Sequence, residues 1–279
     1  MRNSTVASLA PVALVCLLWM GGVASIHAQE QPPGVDANGN GGGASVLQPS
    51  KPLETDSAAL IFSCNSPVSG NDGLTWDGTF LWIADYDTKR AYTVDPSTCA
   101  ALRSIPLPGT YPTGLAWDGR YLWHADGDAE RIYRLDPSDG AIVSSFPSPG
   151  GFPHGLTWDG GNLWNSDSNC NHGSCTPDQI LKLATTGGLL AAFSAPGAYP
   201  TGLAYDGLYL WHSDNATDTI YKLRRADLSI VDSFPSPGTY PNDLAWDGRY
   251  LWVVDNGTDM LYQYDVGHPL KVYLPLIAK

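Results

Sequence analysis

The chain has 279 residues, with 28 Asp and Glu against 15 Lys and Arg, for a formal net charge of −13. That balance excludes the cation-rich faces that bind nucleic acid or anionic membrane surfaces. With 43% hydrophobic residues, 11% aromatic and only 15% charged, the composition is not that of a disordered chain, and 30 Gly with 22 Pro point to short strands and tight turns.

Residues 1–28 read as an export signal. Arg2 precedes an apolar run from Ala7 to Val23, and small residues lead to a cleavage point after Ser25 or Ala28. The run is also nearly long enough for an uncleaved membrane anchor. Cys16 follows Val15, without the small residue that a lipoprotein signal places there. Residues 29–57 are rich in Gly, Asn and Pro, which reads as a flexible linker. Residues 58–64, Ala-Ala-Leu-Ile-Phe-Ser-Cys, then read as a strand.

From Gly73 the chain repeats itself. Gly-Leu-Thr-Trp-Asp-Gly-Thr-Phe-Leu-Trp, ending at Trp82, recurs from Gly114, Gly155, Gly202 and Asp243, at spacings of 41, 41, 47 and 41. Nine of the ten Trp occupy equivalent positions in these copies. In the second copy, residues 114–117, 121–126, 131–135 and 141–146 read as four short strands. Asp118-Gly119 makes the first hairpin turn, a strong short-range signal. A four-stranded unit of 41 residues has the size of a β-propeller blade. Alternation places Leu115 and Trp117 on one face and Ala116 on the other.

The sequence therefore predicts an all-β domain over residues 58–266, a five-bladed β-propeller of four-stranded blades. The fifth unit has three clear strands, and residues 58–64 align with the missing fourth, so the N-terminal strand closes the ring. Residues 272–277, in the C-terminal tail of residues 267–279, are the alternative closing strand. The six extra residues of the third copy fall between Asp167 and Cys175. Cys170 and Cys175 close a short loop there, and in an exported protein a disulfide is the default; zinc held with His172 is the alternative. Cys64 falls late in an outer strand and Cys99 in a turn expected on the opposite face of the next blade. Nothing in the sequence pairs them.

Pro112-Thr-Gly-Leu-Ala-Trp-Asp-Gly, Tyr-Leu-Trp-His-Ala-Asp126 and Ile132-Tyr-Arg-Leu-Asp-Pro137 resemble the NHL-type propeller repeat. They are also similar to repeats of gluconolactonase-like lactonases and of the plant and bacterial glutaminyl cyclases. The cyclases place a catalytic Glu one residue after the position of the second Trp. Here those positions hold Ile83, His124, Asn165, His212 and Val253, none of them a carboxylic acid. The lactonase resemblance implies a divalent cation, calcium, held in the channel by side chains just before the strand-opening Gly. Those positions are Asp72, Thr113, His154, Thr201 and Asn242. Asp72, His154 and Asn242 are the candidate ligands, and the blander reading is a polar ring around channel water. No catalytic residue and no other cofactor is assigned.

The loop after each second strand is acidic, opening with Asp85, Asp126, Asp167, Asp214 and Asp255. Repetition in every blade points to a scaffold role, the carboxylate accepting nearby backbone N–H. The remaining acids make one face negative. The functional expectation is an exported or cell-envelope monomer that binds a small molecule, glycan or protein through that face. A metal-dependent lactonase-like or cyclotransferase-like enzyme in the channel is the alternative. Exposed aromatics at blade edges, Tyr86 or Tyr240, would favour glycan binding.

Overall fold

The Asp-Gly pairs make the turns that the repeat predicts. In the computed structural model of the protein, which describes residues 58–168 and 178–267, Gly78, Gly119, Gly160, Gly207 and Gly248 all take φ between 92° and 100°. A side chain there would be strained. The preceding Asp does more than turn the chain. One oxygen of Asp118 accepts the N–H groups of Arg120 and Tyr121, at 2.9 and 2.7 Å, and the other accepts Trp123 Nε1–H at 2.8 Å. Asp77 holds Trp82 in the same way, Asp159 holds Trp164, Asp206 holds Trp211 and Asp247 holds Trp252. Hydrogen bonds to a charged group contribute roughly 1.5–3 kcal/mol each, so every turn also fixes the indole of the strand that follows.

Five antiparallel sheets of four strands result. The first blade is β2 (Asn71–Trp76), β3 (Leu81–Asp85), β4 (Arg90–Val94) and β5 (Ala101–Pro106). The second is β6 (Pro112–Trp117), β7 (Leu122–Asp126), β8 (Arg131–Leu135) and β9 (Ile142–Pro147). The third is β10 (Pro153–Trp158), β11 (Leu163–Asp167), β12 (Gln179–Leu183) and β13 (Leu189–Ser194). The fourth is β14 (Pro200–Tyr205), β15 (Tyr209–Asp214), β16 (Thr219–Arg224) and β17 (Ile230–Pro235). The fifth takes β18 (Pro241–Trp246), β19 (Leu251–Asp255) and β20 (Met260–Asp265) from the last repeat, and β1 (Ala59–Asn65) from the other end of the chain. The inner strands β2, β6, β10, β14 and β18 touch in cyclic order, and β18 touches β2. This is a five-bladed β-propeller.

Each fixed indole is buried against the next blade. Trp82, with Ala84, Ile105 and Leu107, packs on Leu115, Leu122 and Leu135 of the second blade. Trp123 meets Leu156 and Leu163, Trp164 meets Leu203 and Leu210, Trp211 meets Leu244 and Leu251, and Trp252 meets Leu74 and Leu81. A fully buried Trp removes about 150–250 Å² from water, roughly 4–6 kcal/mol before entropy is subtracted. The alternation holds: Leu115 and Trp117 face the first blade while Ala116 faces the third.

The seam between the ends is closed twice. β1 pairs antiparallel with β20 from Ala59–Asp265 to Asn65–Met260, with a bulge between Leu60 and Phe62. The place beside β20 is thus taken by the N-terminal strand, and residues 272–277 lie outside the described residues. The second fastening is one that the sequence reading left open. Cys64 and Cys99 are bonded, with Cα atoms 6.5 Å apart. Sheet twist accumulates from inner to outer strand and swings the end of β1 across to the β4–β5 turn of the first blade, which a flat drawing of the blades assigns to the opposite face. The Cys170–Cys175 loop and His172 lie outside the described residues. Removal of residues 1–53 is expected to leave the melting temperature within about 2 °C of the full chain. Removal through Asn65 uncovers the β20 edge and is expected to lower it by about 10 °C or more. Equal melting of the two truncations, followed by circular dichroism, would contradict this closure.

Candidate functional site

The links between blades and the loops after the second strands share one face. Asp85 Oδ1 accepts the N–H of Gly70 in the link and of Asp87 in the loop, at 3.2 and 3.0 Å. Asp126 joins Tyr111 and Ala129 in the same way, Asp214 joins Tyr199 and Thr217, and Asp255 joins Tyr240 and Thr258. Asp167 accepts the N–H groups of Gly151 and Phe152, and burial pushes its carboxyl up to about 6. All five are buried. They are scaffold, which leaves exposed acids such as Asp87, Asp128 and Asp259 to charge this face.

At the mouth of the channel the five candidate positions divide. Thr113 donates its hydroxyl to the carbonyls of Ala125 and Pro153, and Thr201 donates to those of Ser213 and Pro241. Both tie one inner strand to the next. Asn242 donates Nδ2–H to the Asn71 carbonyl at 2.8 Å and to Asp72 Oδ1 at 2.7 Å. The fifth and first blades are neighbours, so the two side chains meet. His154 stands two blades from Asp72, against the rings of Phe152 at 4.7 Å and Tyr199 at 5.5 Å. Of the three candidate ligands the fold thus joins two. Burial pushes His154 down to about 4, and its Nε2 has no protein partner. Burial, and then the charges of Asp85 and Asp87 against that of Lys89, push Asp72 up to about 7.

An aromatic rim surrounds these groups. Tyr111, Phe152, Tyr199 and Tyr240 each precede an inner strand. The first blade has Gly70 at that place, where a Cβ would lie 2.6 Å from Asp85 Oδ1. Tyr86 from the neighbouring loop fills the gap, its ring 4.7 Å from Tyr111 and under Lys89 Nζ at 3.5 Å. Tyr111 in turn meets Phe152 at 5.4 Å. Tyr86 and Tyr240 are 38% and 42% exposed. Between Tyr199 and Tyr240 a cleft of about 240 Å³ is floored by Asn215 and Ala216, and Asn215 Oδ1 is buried without a protein partner.

Below the mouth the channel is blocked. A Cβ on Gly73 would lie 2.1 Å from the Thr113 carbonyl, and one on Gly114 would lie 2.2 Å from that of His154. The inner strands converge so closely that only glycine fits in four blades. The fifth has Asp243, fully buried. Its Oδ2 accepts the N–H of Leu74 and Leu115, at 2.7 and 3.4 Å, and its Oδ1 those of Leu203 and Leu244, at 3.1 and 2.9 Å. Burial raises this carboxyl well above the usual carboxylate range, against the pull of the four N–H groups. Sequence reasoning passed over Asp243, although its place in a glycine column was the available signal. The five positions aligned with the cyclase Glu are buried inside the blades. His124 and His212 there stack on Tyr133 and Tyr221.

No family model matches the chain, and no curated protein sequence matches it. Solved structures do. The glutaminyl cyclase of Myxococcus xanthus superposes with a TM-score of 0.62 at 13% identity, over 74% of this chain and 95% of that one. A chain of the nidogen/laminin complex superposes with a TM-score of 0.53 at 20% identity, over 72% of this chain and 78% of its own. What is shared is the propeller. One of these structures is named as an enzyme and the other as a complex between proteins, so the fold assigns no activity.

Asp72 gives this site a pH signature. Its carboxyl binds a proton more tightly in the fold, about 7, than the ordinary 3.8, so its contribution to stability is present at low pH and is lost as pH rises through about 4 to 7. His124, His154 and His212, all held near 4, act in the opposite direction, so the wild-type profile alone does not isolate it. The difference between Asp72→Asn and wild type does. The two are expected to melt together at pH 4, and the variant is expected to melt higher at pH 8. A constant difference across that range would place Asp72 in water.

Proposed function

We propose that the protein is an exported binding module whose link face captures a glycan at the aromatic-rimmed channel mouth. The observation that carries this is the exposed ring of Tyr240 on the cleft that holds Asn215, whose Oδ1 is buried without a protein partner, with the exposed Tyr86 on the same rim. A pyranose has an apolar C–H face that fits a tyrosine ring, and hydroxyls that donate to Asn215 Oδ1 or Asp72. Ligand sites commonly combine apolar walls with a few placed polar groups in this way. The Cys64–Cys99 disulfide fits an oxidising, extracytoplasmic compartment, in keeping with residues 1–28 as an export signal. The exposed acids of this face would turn away anionic sugars, so the class expected is neutral oligosaccharide.

An array of neutral and acidic oligosaccharides, followed by calorimetry on the hits, tests this. Tyr240→Ala and Asn215→Ala are each expected to weaken binding about tenfold, equivalent to about 1.4 kcal/mol, with melting unchanged. An array without a single neutral hit would end this reading, and turnover of a bound sugar would convert it into an enzyme's.

Calcium at Asp72 is the second reading, favoured by the negative field of Asp85 and Asp87 on that carboxylate. Backbone carbonyls and water are left to complete the shell, because among the described residues no three His, Cys, Asp or Glu side chains come together to hold a metal. A hard cation prefers such oxygen. Calcium is then expected to raise the melting temperature of the wild type and to leave that of Asp72→Ala unmoved. No shift between calcium and chelator would remove it.

A further inference from the structure

The channel has a second end, and its chemistry differs from that of the mouth. A chamber of about 80 Å³ lies there among Trp76, Trp117, Trp158, Tyr205 and Trp246. Each comes from the last position of an inner strand. Leu244 and Ala245, the two residues after Asp243, also line it, so the buried carboxylate stands directly above. Each oxygen of that carboxylate accepts two N–H groups, an arrangement that suits the ionised form and opposes the burial that favours its proton. Among the described residues no Lys or Arg pairs with it. A buried charge without an opposite charge is costly.

The backbone supplies what could answer it. Asp77 N–H bonds the Phe80 carbonyl across the hairpin turn. Bonded and non-bonded pairs alternate along an antiparallel ladder, so Leu74 and Trp76 turn their peptide groups away from β3 and toward the axis. The N–H of Leu74 spends that direction on Asp243, and its carbonyl is left facing the axis below. The same turn bond recurs at Asp118, Asp159, Asp206 and Asp247, so all five blades present an equivalent carbonyl. A ring of neutral peptide oxygens suits an alkali cation, whereas magnesium keeps several waters that so small a chamber has no room for, and calcium sites usually add carboxylates to their carbonyl ligands. Thr75 and Thr157 also line the chamber, and its surface is almost wholly polar, because the rings of Trp76, Trp117 and Trp158 pack between the blades.

We propose that this chamber holds one sodium or potassium ion, set on the axis beneath Asp243 as the counter-ion of its carboxylate. The ion lowers the cost of the buried charge and draws the five inner strands together through their carbonyls. This site is independent of the glycan reading and of the mouth.

Melting of the full chain in potassium or sodium chloride, against choline chloride at equal ionic strength, tests it. At about ten times Kd the alkali salt is expected to raise the wild-type melting temperature by about 3–5 °C. Asp243→Gly, which restores the residue of the other four blades, is expected to melt alike in every salt. A wild type indifferent to the exchange, or a variant that keeps the full shift, overturns the proposal. If the variant fails to fold, wild-type crystals soaked in rubidium decide instead. An anomalous peak on the axis beneath Asp243 supports the site, and its absence overturns it.

Discussion

Five inner strands meet around one axis with their backbones in contact, and much of the molecule follows from that crowding. No Cβ fits at Gly73, Gly114, Gly155 or Gly202 without striking the neighbouring strand. The level below the mouth is therefore closed to side chains, save the one that reaches into the axis itself. Asp243 is that side chain, and it ties four blades through their N–H groups. The axis is consequently two compartments. The mouth is polar and rimmed by tyrosine, while the far chamber is lined by the polar atoms of the last residues of the inner strands.

The acids divide in the same structural way. In each blade one Asp holds a tryptophan and its turn, and in four blades a second joins the link to the loop beside it, while Asp167 of the third blade holds the link. Acid repeated at these positions is spent on folding, which is why a strongly negative composition does not translate into an equally negative surface. The groups with chemistry to spare are those that break the repeat. Asp72 and His154 replace threonine, Gly70 yields its ring position to Tyr86, and Asp243 replaces glycine.

The mouth is held in place by its own scaffold. Thr113 and Thr201 bond across blade boundaries, and Asn242 anchors on the backbone of Asn71 before it reaches Asp72. Three of the five polar positions thus stitch the inner ring. A ligand arriving here meets a preorganised surface, so little ordering entropy would be lost on binding.

By itself the sequence determined the blade and its number. A 41-residue period, Asp-Gly turns and nine tryptophans at two repeat positions are local patterns, and strand alternation converts them directly into faces. It showed that the last blade lacks a strand and offered residues 58–64 or 272–277 to fill it, and the pairing of β1 with β20 decided between them. Only the tertiary structure decided what lies next to what. Whether Asp72 meets Asn242 or His154 depends on the cyclic order of blades, and Cys64 reaches Cys99 only through the twist of a whole sheet. The rim is assembled from residues in different blades. A glycine column broken by one Asp gains its meaning when five strands share an axis. Period and turn chemistry act within a few residues, but proximity in a closed ring is set by symmetry and twist, which no short window of sequence contains.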